Sequence, residues 1–391
     1  MASNAIVYPD VLDPIESATR EYLDRHQEAS LAVMCEHAVA NAPLIRKVWA
    51  DAGVKPSDIK SVADFREKAP FLTKDDIRAY RDAHNDPTGG MSVDSPGQTV
   101  SVGTTSGTTG DPTPVPNWRR TPAEDTYARD HWHIGVRPGD HVCHMLFTFR
   151  GGHRRRSLSE LGIAEICFSI SPFEIPRIVE PLGDRQKALT KSWGLELFET
   201  TSLGDVAGAC ECREHNGFHA YEDIAYIEAV DPITAEPVAD GEIGELVVTS
   251  LVDRLSPLVR YRTGDLVSID RSPCGCGRTH ARFKLLGRAT DQILVKGRSI
   301  LPREIMGLVE KHDETRANLF QIVRADREMD GLKLRIGYDV TRLKDSEDAL
   351  RLRLYERISV AIEVPLILEL VDEQELLKLG PPHKIPRVTK T

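Results

Sequence analysis

At 391 residues the chain is too long for one small domain and suits a large domain followed by a smaller one. Its composition, 40% hydrophobic and 28% charged, belongs to a folded globular protein and excludes a disordered one. The net charge of −10 disfavours a sequence-independent nucleic-acid binder, and the one dense basic cluster, His153-Arg154-Arg155-Arg156, is too short to reverse that.

Residues 11–85 read as helical. Apolar side chains recur at helical spacing through Leu31, Val33, Met34, Val39, Leu44, Ile45 and Val48. Ser61 followed by Asp64 resembles a capping box, and Thr73 before Lys74, Asp75 and Asp76 is an N-cap with acids in the first turn. Residues 86–100, rich in Gly, Pro, Ser and Asp, read as loop. From 100 to 285, short apolar runs alternate with helical segments, the pattern of an α/β domain. A buried strand is predicted over Ala164–Ile170. Two more, over Ala225–Val230 and Gly244–Ser250, are predicted to join around a turn at Asp240-Gly241. From about 287 the pattern changes. Ile293-Leu-Val-Lys-Gly reads as strand then turn, and Pro302–Glu310 as a helix with proline in its first turn. Strands are predicted over Leu319–Val323 and Leu332–Tyr338, an amphipathic helix over Leu350–Ile362, and a last strand over Pro365–Val371. That order suits a small α+β domain.

No run of about 18 apolar residues is present, so no transmembrane helix is expected and no membrane partner. The first ten residues have neither a basic nor an apolar stretch, so no signal peptide is expected. Seven cysteines, an odd number in a long chain, read as reduced thiols without a disulfide framework. Cys35, Cys143 and Cys167 sit in apolar context and read as core. A cytoplasmic location follows from these readings.

Residues 101–113 read Ser-Val-Gly-Thr-Thr-Ser-Gly-Thr-Thr-Gly-Asp-Pro-Thr. Small residues let a backbone approach an anion, and hydroxyls add donors, so the loop can wrap phosphate oxygens. It is not a Walker loop, since no Gly-Lys-Ser/Thr follows; the bland alternative, taking the segment alone, is a flexible linker. Three further segments follow in order. They are Tyr261-Arg-Thr-Gly-Asp265-Leu, Gly287-Arg288-Ala-Thr-Asp291-Gln-Ile-Leu-Val-Lys-Gly297 and Gly380-Pro-Pro-His-Lys384-Ile-Pro-Arg387. This ordered set resembles the adenylate-forming superfamily of acyl-CoA synthetases, adenylation domains and luciferases. Asp64-Phe-(x)5-Phe71-Leu-Thr-Lys74, Glu211-Cys212-(x)4-Gly217-Phe-His219-(x)2-Glu222-Asp223 and Cys274-Gly-Cys276-Gly-Arg278-Thr make the phenylacetate–CoA ligase family the closest resemblance, over nearly the whole chain.

The resemblance implies an α/β protein with a large N-terminal adenylate-forming domain, residues 1–286, and a smaller mobile α+β C-terminal domain, residues 287–391. It implies that Ser106, Gly107, Thr108, Thr109, Gly110 and Thr113 hold ATP phosphates. Asp265 would accept from the ribose hydroxyls, and Arg288, opening the interdomain linker, would also reach the ribose. Lys384 would bridge ATP and the carboxylate, Asp205 would carry Mg²⁺, and the loop around Gly297 would face the thiol of CoA. A carboxylate attacking an α-phosphate sets negative charge against negative charge, so a positioned ammonium and Mg²⁺ are needed there. The implied reaction is activation of an aryl or arylacetic acid as acyl-adenylate, then transfer to CoA. One rival passes the acyl group to an amine or carrier-protein thiol. Another is a nucleotide-binding partner protein without turnover. The implied partners are a small-molecule carboxylic acid and CoA or another acceptor, with a homodimer left open.

Four features depart from the family. Asp111 stands where a lysine is usual. Thr201-Ser202-Leu203-Gly204-Asp205 replaces a Tyr-Gly-x-Thr-Glu motif, losing the adenine-stacking ring and shortening the acid. Thr290 stands where the hinge commonly has an acid. Glu180-Pro-Leu-Gly-Asp comes soon after Ile170, so an intervening strand-and-helix unit is missing. Separately, Cys274-x-Cys276 is spaced as a chelate and Cys212-(x)6-His219 as a second, together an S/N set suited to a structural Zn²⁺. Cys210, His215 and His280 are possible substitutes in that set, and His153 is a lone histidine near a Gly-rich segment.

Overall fold

A computed structural model describes residues 9–93, 101–104, 114–117, 124–144, 159–167, 191, 194, 196–204, 206–324, 328–380 and 385–390. The chain divides into two compact units. The first holds most residues up to Leu285, and the second holds Leu286–Thr391 together with Gly264–Leu266.

The first unit opens with helices α1 (Arg20–Asn41), α2 (Pro43–Asp51), α3 (Val62–Lys68) and α4 (Lys74–His84). Thr19, Ser61 and Thr73 each accept an N-terminal N–H of the helix that follows, supplying a group the helix itself cannot. The capping box at Thr73 is completed by Asp76. At Ser61, Asp64 instead reaches back to the Lys60 N–H and the Ser61 hydroxyl. Strands β1 (Ser101–Thr104) and β2 (Pro114–Asn117) form an antiparallel pair flanking the Gly/Thr loop. Helix α5 (Thr126–His133) follows, then β3 (His141–His144) and β4 (Ala164–Cys167), which pair in parallel.

Among the described residues the main sheet has seven strands. They are β5 (Thr200–Leu203), β6 (Ala207–Glu211), β7 (Phe218–Ala220), β8 (Ala225–Val230), β9 (Ile243–Ser250), β10 (Tyr261–Asp270) and β11 (Arg282–Arg288), in the order β5-β6-β7-β11-β10-β9-β8. The β8–β9 hairpin pairs antiparallel from Ala225 opposite Ser250 to Val230 opposite Glu245. Its strands are buried on both faces, so they lack the period-two alternation of a half-exposed hairpin. The core joins this sheet to the helices through Leu31, Met34, Trp49, Phe65, Tyr221 and Phe283.

In the second unit, β12 (Ile293–Val295), β13 (Arg298–Ile300) and β15 (Glu328–Met329) form one small sheet. The other is built by β14 (Phe320–Val323), β16 (Leu332–Tyr338), β17 (Leu366–Asp372) and β18 (Val388–Thr389), in the order β17-β16-β14-β18. Helices α6 (Pro302–Val309) and α7 (Glu347–Ile362) bury Ile305, Val309, Leu350, Leu354 and Ile358 against Phe320, Leu334 and Ile336. A short α8 (Glu373–Leu377) follows β17. The strand over 366–372 is therefore not the last, because Val388 and Thr389 return to pair in parallel with β14. Among the described residues no helix is long and apolar enough to cross a membrane.

Candidate functional site

Two groups of predicted residues are brought together. The first is built from turns at the ends of strands. Cys212 follows the end of β6, and the His215 N–H folds back onto the Cys212 carbonyl at 2.9 Å. Cys274 opens a matching turn in which the Gly277 N–H meets the Cys274 carbonyl at 3.1 Å. His219 lies on β7, opposite Cys210 on one side and Arg282 on the other. The donor atoms of Cys212, His219, Cys274 and Cys276 all lie within 4.8 Å of one another, and all four residues are buried.

The spacing fits a metal. Tetrahedral Zn²⁺ with Zn–S of about 2.3 Å and Zn–N of about 2.1 Å requires S···S near 3.8 Å and S···N near 3.6 Å. The Cys212–Cys274 sulfurs are 3.7 Å apart, and Cys276 Sγ lies 3.4 Å from His219 Nε2. His219 Nδ1 donates to the His280 carbonyl at 3.0 Å, which leaves the Nε2 lone pair for a ligand. The backbone N–H groups of Glu214 and Arg278, each two residues past a cysteine, donate to the sulfurs of Cys212 and Cys276. The contact between Cys212 and Cys276 draws the Cys276 thiol well down and pushes Cys212 up. Of the substitutes considered from sequence, His280 offers its carbonyl to His219, and His215 stacks on Phe198 with Glu211 3.2 Å from its Nδ1. Neither belongs to the four-atom group, nor does Cys210.

The second group is Asp265 and Arg288. Asp265 lies within β10 and Arg288 ends β11, the neighbouring strand, so the sheet brings the two motifs together. Arg288 Nε meets Asp265 Oδ1 at 2.9 Å. Gly297 is the second residue of the β12–β13 hairpin turn. Lys296 at φ +50° and Gly297 at φ +78° give that turn two left-handed positions, the geometry a two-residue hairpin needs. Arg298, next in the chain, donates to the Ala361 and Ile362 carbonyls at the end of α7. In the 201–205 segment, Thr201–Leu203 lie on β5. Gly204 turns the chain at φ +48°, where a Cβ would come 2.9 Å from Thr263. Lys384, Asp205, Asp111, His153 and the phosphate-loop residues Ser106, Gly107, Thr108, Thr109, Gly110 and Thr113 lie outside the described residues, as do the side chains of Cys143 and Cys167. Cys35 is fully buried in the core.

Sequence reading missed a largely buried charged layer beside the Cys/His group. Arg129 on α5 grips Asp223 with two bonds of 2.8 Å, and Arg20 grips Glu222, whose carboxylate also accepts the Ala281 N–H at 2.7 Å. Arg278 bonds Glu16 at 3.1 Å, tying the turn of Cys274 and Cys276 to the start of the chain. The acids were visible in the Glu222-Asp223 motif; their partners, far away in sequence, were not.

No protein-family model matches the chain. It is 31% identical over 353 residues to the phenylacetate-coenzyme A ligase of Pseudomonas putida, covering 75% of this chain and 77% of that one. It is 28% identical over 377 residues to the enzyme of the same name from Thermus thermophilus, covering 82% and 83%. Among solved structures, 2-hydroxyisobutyryl-CoA ligase in the postadenylation state superposes with a TM-score of 0.80 at 21% identity, over 98% of this chain and 94% of the other.

Proposed function

The chain belongs to the phenylacetate–CoA ligase family, and on that premise we propose that it uses ATP to convert a carboxylic acid into its CoA thioester. A carboxylate oxygen of an aryl or arylacetic acid attacks the α-phosphorus, the bond to pyrophosphate breaks, and an acyl-adenylate forms. The CoA thiol then attacks the acyl carbonyl and AMP leaves. The observation that carries the reading is the Asp265–Arg288 juxtaposition, a carboxylate and a guanidinium held side by side on adjacent strands where the family's ribose contacts would fall. Asp265 accepts from the ribose hydroxyls. Ser106–Thr113 bind the phosphates and Lys384 holds the carboxylate against the nucleotide. Mg²⁺, held by Asp205 in this reading, offsets phosphate charge when bound. The Lys296-Gly297 turn presents backbone to the CoA thiol arm.

Cys212, His219, Cys274 and Cys276 hold a structural Zn²⁺ that pins the two turns together; all four positions are protein atoms, so no open position is left for chemistry. Among the described residues the cysteines form no disulfide, which suits a cytoplasmic setting.

Pyrophosphate release and thioester formation, measured over a panel of aryl and aliphatic acids with and without CoA, test the activity. Pyrophosphate together with an acyl-CoA product is expected. Pyrophosphate without any CoA thioester would move the acceptor to an amine or carrier protein, and no pyrophosphate with any acid would overturn the ligase reading.

A further inference from the structure

His133 ends α5 with a buried side chain, and nothing in the ATP chemistry uses it. Its ring centroid lies 5.3 Å from that of His219, whose Nε2 is 3.4 Å from the Cys276 sulfur, and after Cys212 the His133 ring is among the groups that draw the Cys276 thiol down. Its Nδ1 lies 3.5 Å from the Tyr221 hydroxyl, at the far limit of a hydrogen bond, and that hydroxyl already donates to Asp130 Oδ1 at 2.9 Å. Its Nε2 is buried and has no partner of good hydrogen-bond geometry. A buried ring nitrogen beside a cluster of sulfurs calls for an explanation, because buried polar atoms are rarely left unused.

We propose that His133 is a positioning residue for the metal centre, with its Nε2–H donating to the Cys276 sulfur and holding that thiolate on the ion. This rests on the reading of the four-residue group as a metal site. Three thiolates and one imidazole around a divalent cation leave a net charge of −1, most of it on sulfur. That charge is buried, so it must be met by N–H groups. Arg278 supplies one from the backbone, and His133, with a buried unpartnered Nε2 beside the His219 ring, is the side chain placed to supply another. The alternative use of Nε2, as a fifth ligand, is disfavoured because the four residues already complete a closed tetrahedral set.

The full-length protein, loaded with Zn²⁺ or with Co²⁺, provides the test. His133→Phe keeps a flat ring and removes both nitrogens, whereas His133→Gln keeps an N–H near the Nε2 position. Two quantities are read: the rate of zinc release to excess chelator, and the energy of the thiolate-to-cobalt charge-transfer band. His133→Phe is expected to speed release about tenfold, the low end for losing a partner of a metal ligand. It should also move the band to lower energy, because a sulfur without its donor gives up an electron more readily. His133→Gln should leave both near wild type, which a merely space-filling histidine would not predict. If His133→Phe does not fold, His133→Asn, whose amide sits at the Nδ1 position, replaces it with the same expectation. Wild-type release and an unmoved band in the Phe or Asn variant would overturn the proposal. So would a cobalt spectrum changing from five- to four-coordinate in that variant, since His133 would then be a ligand. A wild-type protein that binds no zinc would instead overturn the metal reading, and the role of His133 with it.

Discussion

Replacing Asp265 by asparagine should weaken ATP binding far more than replacing its partner Arg288 by alanine. The two are paired at 2.9 Å, but the Arg288 side chain is 57% exposed against 16% for Asp265. A pair with one half in water is worth about 0.2–1 kcal/mol. Ribose hydroxyls donating to a carboxylate make charge-assisted bonds of about 1.5–3 kcal/mol each. The nucleotide therefore gains more from Asp265 than the chain loses by opening the pair. Asparagine keeps one accepting oxygen and loses the charge, a loss of about 1.5–3 kcal/mol, or roughly 10- to 150-fold in ATP affinity. Arg288→Ala removes a competitor as well as a contact, so its effect should stay within about fivefold. Calorimetric titration of ATP against wild type and both variants reads this directly. A 2′,3′-dideoxy nucleotide supplies the control, since it has no hydroxyls to lose and should bind Asp265→Asn and wild type alike. Wild-type ATP affinity in Asp265→Asn, or equal sensitivity of the dideoxy nucleotide, would refute the placement of the sugar.

Lys384→Ala should abolish adenylation and spare thioester formation from a supplied acyl-adenylate; equal loss in both half-reactions would argue against a lysine acting only in the first. Asp205→Ala should cut the adenylation rate sharply with the fold intact and reduce the response to added Mg²⁺; an unchanged rate would place the magnesium carboxylate elsewhere. Cys276→Ser should lower both zinc content and melting temperature, because metal binding contributes to folding, with elemental analysis and a thermal melt as the measurements. Asp223→Asn takes the nearer carboxylate charge from buried Arg129, leaving Asp13 at 3.7 Å, at a cost of up to about 3–5 kcal/mol and a melting temperature lower by up to roughly 6–10 °C; adding Arg129→Met should recover part of it. The pH dependence of that pair has a definite sign. Burial pushes the Asp223 carboxyl up, but the Arg129 guanidinium outweighs it and holds the group below its ordinary value. Its contribution is therefore complete above the unfolded carboxylate range, near pH 4, and is lost as pH falls through the lower folded value. Denaturant unfolding of wild type and Asp223→Asn should show a gap that narrows only in acid.

The helix caps were readable because each is a local arrangement of three or four residues, as at Thr73 and Asp76. The convergence of the Cys/His group was readable for a related reason: each pair is close in sequence, and only the meeting of the two pairs needed the fold. Spacing did not separate these four residues from Cys210 and His215. Cys210 sits directly across from His219 in the sheet, yet the group forms at the strand ends, where turns let the sulfurs converge. Arg129 and Asp223 lie 94 residues apart and Glu16 and Arg278 lie 262 apart, so no periodicity or motif could pair them. His133 escaped notice because a histidine ending a helix carries no local sign of what its ring will face. Val388–Thr389 escaped because two residues are too few to show an alternation.

The tie between the start of the chain and the turn of Cys274 and Cys276 has a consequence for synthesis. Arg278 reaches Glu16 and the Asp10 carbonyl, and the Thr279 N–H and hydroxyl reach the Glu16 and Ala18 carbonyls. Glu16 is made some 262 residues before the arginine that neutralises it. At about 5–20 residues per second, the ribosome needs roughly 13–50 s to close that gap. Through that interval Pro9, Leu12 and Asp13 already have their partners near α5, but the Glu16 carboxylate lacks the guanidinium that pairs with it. The turn around Glu16 is thus among the last parts to dock, and a nascent chain halted before residue 274 should leave residues 14–19 more open to protease than in the finished chain.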